Sequence, residues 1–197
     1  IKVSIFTLAV VFAAVGLRLL WRQWRERGQP PGLTLERLSL RMGLAVLAAV
    51  FAFRLLQPYA FTGPGLLDVG LSERWLADMQ LVQGQVTGES DPPWGYQWAN
   101  RTPILFPLKN MVVWGMGLPL GLAAWAGLGV AFWQMVARGR LVHLIPVTWS
   151  LVLFLHQGTQ WVKSMRYFLP IYPTLILLAA WLLISLWDSA RRATAAG

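Results

Sequence analysis

His156, Gln160, Lys163 and Tyr167 follow one another at intervals of four, three and four residues. On one continuous helix that spacing puts an imidazole, an amide, an amine and a phenol along a single stripe. Arg166 stands beside the end of the stripe. Together these groups suit an oxyanion, because Arg can hold two phosphate oxygens at once and Lys adds a point charge. Polar side chains in an apolar segment face either a cavity or a partner helix. Interhelical hydrogen bonding, with the cations reaching toward lipid headgroups, is therefore the competing explanation.

A second group lies upstream, in Asp91-Pro92-Pro93-Trp94-Gly95-Tyr96-Gln97-Trp98 and the following Arg101. Trp94, Tyr96 and Trp98 suit the apolar faces of sugar rings. An aromatic belt at the membrane surface would use the same residues. Metal chemistry finds less support. His143 and His156 lie about 20 Å apart along one segment, and no HExxH pattern exists. No metal site and no cofactor are expected, although carboxylates with Asn or Gln suit a hard divalent ion. The chain has no cysteine, which removes disulfides and thiolate sites. It has no glycine-rich phosphate loop, nucleophile elbow or internal repeat.

The elements that must hold these groups are apolar and long. Of the 197 residues, 56% are hydrophobic and only 13% charged, with a mean hydropathy of +0.53. A soluble domain carries roughly 25% charge, so the fold class expected is an all-α, polytopic membrane protein. The net charge of +9 resides in residues flanking apolar runs, which suits topology and headgroups better than nucleic acid. No nucleic-acid partner is expected.

Five spans are expected: Val3–Leu20, Leu38–Leu56, Asn110–Val136, Leu141–Val162 and Tyr167–Trp187. Arg41 and Arg54 bound the short second span and should snorkel to opposite interfaces. Pro119 should kink the third span, with Gly117 and Gly121 allowing close packing. Pro170 and Pro173 fall in the first turn of the fifth, where proline is tolerated. That helix start should offer unpaired N–H groups to a phosphate. Ile1 is not an initiator Met and an apolar run begins at Val3, so a piece of a longer membrane protein is expected. A signal peptide fits badly, because Arg18, Arg22, Arg25 and Arg27 follow the run instead of preceding it.

This gives three segments. Residues 1–56 carry two spans and a basic connector, 57–109 form a polar insert, and 110–197 carry three spans. The insert holds five of the eight acidic residues, Asp68, Glu73, Asp78, Glu89 and Asp91. Within it, Ser72 as an N-cap, Leu71 and Leu76 as a staple, and the face Trp75, Leu76, Met79 and Val82 predict an interfacial amphipathic helix over 72–83, ending near Gly84 or Gly88. Pro103 and Pro107 should keep the chain extended up to Lys109. With the insert outside, ten basic residues fall inside and seven outside, and the excess in short connectors makes residues 57–109 external at the plasma membrane.

Met165-Arg166-Tyr167-Phe168-Leu169-Pro170-Ile171-Tyr172-Pro173 resembles the RY-x-LP-x-x-P segment of GT-C class membrane glycosyltransferases, a class that includes protein O-mannosyltransferases and lipid A aminoarabinose transferase. Gln57-Pro58-Tyr59-Ala60-Phe61 and Gln97-Trp98-Ala99-Asn100-Arg101-Thr102-Pro103 resemble large multi-span prokaryotic proteins grouped with that class. The resemblance covers about residues 54 to 187. It implies sugar transfer from a polyprenyl-phosphate donor, embedded in membrane lipid, to an acceptor the sequence does not specify. It also implies Arg166 and Tyr167 as donor-site residues. The class carries its catalytic carboxylate in the first external loop, so the catalytic residue here is unknown and expected upstream of Ile1. The substrate-binding candidates are Arg166, Tyr167, Lys163, Gln160, His156, Arg101, Gln97 and Trp98. A transporter or flippase segment and a structural membrane subunit are the alternatives. Transporters favour broken helices with charges at mid-membrane, and no acidic residue lies mid-span here.

Overall fold

The Gln57-Pro58 pair ends the first long described helix, since proline restrains the residue before it and removes a backbone donor. The computed structural model describes residues 10, 13–19, 21–22, 25, 32–65, 68–90 and 92–195. The expected span Val3–Leu20 falls largely outside the described residues. Among those described, regular structure is helical throughout, with one isolated bridge between Phe61 and Leu71. Among the described residues, four helices are long and apolar enough to cross a membrane: Ser39–Leu56, Leu118–Arg138, Leu141–Thr159 and Leu169–Ala195. The chain is an all-α, multi-pass membrane protein.

It divides into two units, one of Gly16–Gln97 and one built on Trp98–Gly197. The division falls inside the polar insert, so residues 57–97 go with the first unit and 98–109 with the second.

In the first unit, helix α1 runs Gly32–Leu56. Leu44, Leu47, Val50 and Phe51 leave its surface broadly exposed, as a lipid-facing helix requires. Arg54 does not snorkel. It is only 5% exposed, and its guanidinium donates to the carbonyls of Pro58 (3.5 Å), Gly63 (2.6 Å) and Gly65 (2.5 Å). The Phe61 ring covers it at 4.7 Å. The turn at 62–65 brings carbonyls to the end of α1, and a buried cation with acceptors at hand has no need of the interface. On the amide side of the same turn, Asp68 accepts from the Gly65 N–H at 3.0 Å. A Cβ on Gly63 would collide with that carboxylate.

Helix α2 runs Glu73–Thr87 and closes on Gly88, the later of its two expected ends, at φ +89°. Gly84 is no terminus, because its neighbour Gln85 keeps helical hydrogen bonding and only Gly88 turns left-handed. Ser72 caps through its backbone carbonyl alone, accepting from the Leu76 amide at 3.0 Å. Leu71 and Leu76 are each 40% exposed or more. Trp75 and Met79 are half-buried, and Trp75 meets Phe53 edge-on at 5.9 Å.

The second unit departs more from expectation. Pro103 and Pro107 do not keep the chain extended: helix α3 runs Leu105–Asn110, with Pro107 where its missing N–H lies in the first turn. A π-helical turn follows at Met111–Gly115. The chain then breaks at Gly117, φ +76°, before helix α4, Leu118–Arg138. The third span therefore begins at Leu118, not Asn110. The break is at the glycine rather than the proline because Pro119 sits in the new helix's first turn, where it needs no hydrogen bond. Helix α5 runs Leu144–Thr159 and helix α6 Tyr172–Ala195, with 3₁₀ turns at Met165–Tyr167 and Leu169–Ile171 between them.

Their core comprises Met111, Ala124, Leu128, Ala131, Leu153, Phe154, Phe168, Ile171, Leu175 and Leu178, among others. Helices α4 and α6 touch backbone to backbone. A Cβ on Gly127 would lie 2.5 Å from the Leu178 carbonyl oxygen. Gly121 does the same against Val112, 2.5 Å from its oxygen, which folds the π turn onto the start of α4. Polar ties join α5 to the start of α6: Ser150 and Thr174 hydroxyls meet at 2.8 Å, and the Trp149 indole donates to the Pro170 carbonyl at 3.0 Å.

Candidate functional site

Helix α5 stops at Thr159, and Gln160 turns extended at φ −67°, ψ 155°. The stripe His156, Gln160, Lys163 and Tyr167 therefore does not lie on one helix. What replaces it is a corner, built from the last turn of α5 and the turn leading to α6. Hydrogen bonds between near neighbours shape it. Gln157, 1% exposed, donates from Nε2 to the Val162 carbonyl at 3.3 Å. The Gln160 side chain donates to the His156 carbonyl at 3.4 Å, and the Thr159 hydroxyl to the same oxygen at 2.9 Å. These bonds satisfy carbonyls that a helix end leaves open.

Lys163 is 3% exposed. Its Nζ donates to the Trp161 carbonyl at 3.2 Å and lies 5.7 Å from the centre of the Trp161 ring. Burial pushes its amine below lysine's ordinary range, since desolvation penalises the charged form. The indole N–H of Trp161 is buried without a hydrogen-bond partner. Arg166 behaves differently. It is exposed, lies 4.9 Å over the Tyr167 ring, and donates to the Tyr167 hydroxyl at 3.0 Å.

The start of α6 offers fewer backbone donors than expected. The amides of Tyr167, Phe168 and Ile171 already bond to Ser164, Met165 and Phe168, the Tyr172 amide bonds to Leu169, and Pro170 and Pro173 have no N–H. An anion here would rest on side chains more than on the helix dipole.

Upstream, Trp98 and Arg101 share one partner. Trp98 meets the Phe106 ring edge-on at 6.4 Å, and the Arg101 guanidinium lies 5.0 Å over it. The segment that carries them is fastened to the end of α5. Leu105 donates to Pro103 at 2.6 Å across Ile104, whose φ of +63° and ψ of −54° form the rarer, strained γ-turn. Ile104 itself donates to the Gly158 carbonyl at 3.0 Å. Trp98 and Arg101 thus belong to the same unit as the corner. Gln97 belongs to the other unit, where its side chain donates to the Trp94 carbonyl at 2.9 Å.

Two participants, Gln157 and Trp161, were not singled out by spacing. Their signal was present: an amide and an indole within six residues of a lysine, just where the apolar run ends. His143, far from this corner in sequence, is buried against Trp181 at 4.4 Å. Among the described residues no group of His, Cys, Asp or Glu is placed to hold a metal. Chemically, the corner offers donors and cations with no carboxylate among them. No family model matches the chain, and no curated protein or solved structure compared with it does so either.

Proposed function

We propose that the chain is part of a membrane glycosyltransferase that moves a sugar from a polyprenyl-phosphate donor to an acceptor on the outer face of the plasma membrane. The observation that carries this reading is the corner between α5 and α6. It gathers Lys163, Arg166 and two amides at one end of apolar helices, the level at which a lipid phosphate lies. The RY-x-LP-x-x-P run supports it, since Arg166 and Tyr167 of that run stack on each other beside the corner. The basic-residue imbalance supports an external position for residues 57–109. The aromatics Trp98 and Phe106, with Arg101, are available to the sugar.

The test uses the full-length protein in native membranes, with a radiolabelled polyprenyl-phosphate sugar. Arg166→Lys keeps the charge but loses the two-pronged contact. Transfer should fall by about tenfold or more, corresponding to roughly 1.4 kcal/mol. Near-normal transfer in both Arg166→Lys and Arg166→Ala, at normal expression, would sink the donor-site reading.

A further inference from the structure

We propose that the turn between α5 and α6 holds a buried oxyanion seat, formed by the Lys163 amine and the Trp161 indole N–H, that takes the phosphate of a phosphoester. The assignment of a lipid as the source of that phosphate rests on the function proposed above; the seat itself does not.

The unit Trp98–Gly197 contains a single acidic residue, Asp188. It lies sixteen residues into α6 from Tyr172, about 24 Å along the axis at 1.5 Å per residue. Lys163 therefore has no counter-ion within its own unit. A buried amine is held either neutral or beside an anion, because an unpaired buried charge is strongly disfavoured. An anion from outside the unit would pair with it.

A lysine ammonium has three donors and no acceptor. Lys163 places one on the Trp161 carbonyl, which leaves two. The Trp161 indole is donor-only, and its buried N–H has no partner. Buried donors are nearly always satisfied. The amine lies over the indole ring, 5.7 Å from its centre, so both donors belong to one small region of the turn. The Gln157 bond to the Val162 carbonyl keeps the turn from relaxing away. Trp161 and Ser164 are half-buried. Arg166 is exposed and engaged with Tyr167, so the buried contacts of the seat do not include it, and it meets a bound phosphate only from the open side.

The experiment uses the full chain in nanodiscs of an uncharged galactolipid, which carries no phosphate. Binding of dodecyl phosphate, of inorganic phosphate and of uncharged dodecyl maltoside is measured by calorimetry. Dodecyl phosphate should bind saturably and dodecyl maltoside should not. Lys163→Met should weaken binding about tenfold or more, and Trp161→Phe, which keeps an aromatic face but removes the indole N–H together with the five-membered ring, several-fold. If inorganic phosphate binds equally tightly with the same dependence on both residues, the seat stands and the lipid source is rejected. Absence of saturable phosphate binding overturns the seat, as does binding unchanged in Trp161→Phe and Lys163→Met. If Lys163→Met fails to fold, Trp161→Phe alone decides. The two proposals separate cleanly: Lys163-dependent binding without sugar transfer keeps the seat and rejects the transferase. Transfer that survives both substitutions at unchanged KM rejects the seat and keeps the transferase.

Discussion

The backbone amide of Ile104 donates to the carbonyl of Gly158 at 3.0 Å, and the Ile104 Cδ1 occupies the space beside the Gly158 Cα. A Cβ at Gly158 would stand 2.8 Å from that methyl group. Ile104 reaches this position only at φ +63°, a conformation that disfavours β-branched residues and persists only when its surroundings enforce it. The bond answers one of the open carbonyls at the end of α5. The loop bearing Arg101 is thereby tied to the corner that holds Lys163.

Gly158→Ala should therefore lower stability by about 1–3 kcal/mol through overpacking. Ile104→Val removes the offending methyl and should recover part of that loss. The pair should couple by about 0.5 kcal/mol or more in a double-mutant cycle, read from thermal unfolding in detergent. Strictly additive effects would mean that the two residues do not meet as described.

Two glycines of α4 should respond oppositely to the same substitution. Gly127 faces the Leu178 backbone, which cannot move aside, whereas a Cβ at Gly129 meets nothing within 4 Å. Gly127→Ala should destabilise the chain by about 1 kcal/mol or more. Gly129→Ala should stabilise it by up to about 1 kcal/mol, through helix propensity. Equal effects would contradict the close approach of α4 and α6.

Much of the helical layout could be read from residue types. Gln57-Pro58 ends α1, Gly88 ends α2, and Arg138-Gly139 ends α4, each by local chemistry that no distant contact needs to supply. What failed depends on tertiary partners. Nothing between Gln160 and Val162 forbids a helix, so the end of α5 was invisible. It ends because the Ile104 amide and neighbouring side chains satisfy its last carbonyls. Arg54 looked like an interfacial cation because its acceptors come from a turn nine and eleven residues later. The candidate site was half legible. Lys163 and Arg166 stood out as cations, but only burial separates them. One is enclosed, with no counter-ion in its own unit; the other lies open on Tyr167.

Arg54 should act as the fastening of its loop. Arg54→Met leaves the carbonyls of Pro58, Gly63 and Gly65 without their donor, and Lys at this site lacks the fork to reach all three. Hydrogen exchange of the Thr62 and Ser72 amides, which close this loop on Gly70 and Ala60, should accelerate about tenfold or more in Arg54→Met, as loss of charge-assisted bonds of roughly 1.5–3 kcal/mol requires. Lysine should restore only part of the protection. Unchanged exchange in Arg54→Met would mean that the turn holds itself.

Side of membrane is open to direct labelling. The chain has no cysteine, so single cysteines at Ser90 and Gln29 report without background. In intact cells an impermeant maleimide should label Ser90→Cys and spare Gln29→Cys, as the basic connector around Gln29 requires. The reverse pattern would place residues 57–109 inside and remove the external site.

The buried amine makes stability depend on pH in a defined direction. Lys163 titrates below its ordinary value of 10.5 in the folded chain, because burial opposes its charge. Below the folded value both states hold the proton, and the folded state bears the full penalty of a buried charge. Between the folded value and 10.5 the unfolded chain binds a proton that the folded chain has released, so stability rises with pH across that window. Above it the penalty has gone. Lys163→Met removes the titrating group, and the difference in Tm between Lys163→Met and the parent chain should shrink as pH rises toward 10.5. Parallel curves for the two proteins would show that Lys163 is solvated. Saturating dodecyl phosphate should act in the opposite sense, because an anion beside the amine favours its charged form and raises its titration point. The window then narrows from below, and the pH slope of the parent chain flattens. A slope that ignores the phosphate would separate the buried amine from the oxyanion seat and leave Lys163 as a capping residue for the Trp161 carbonyl.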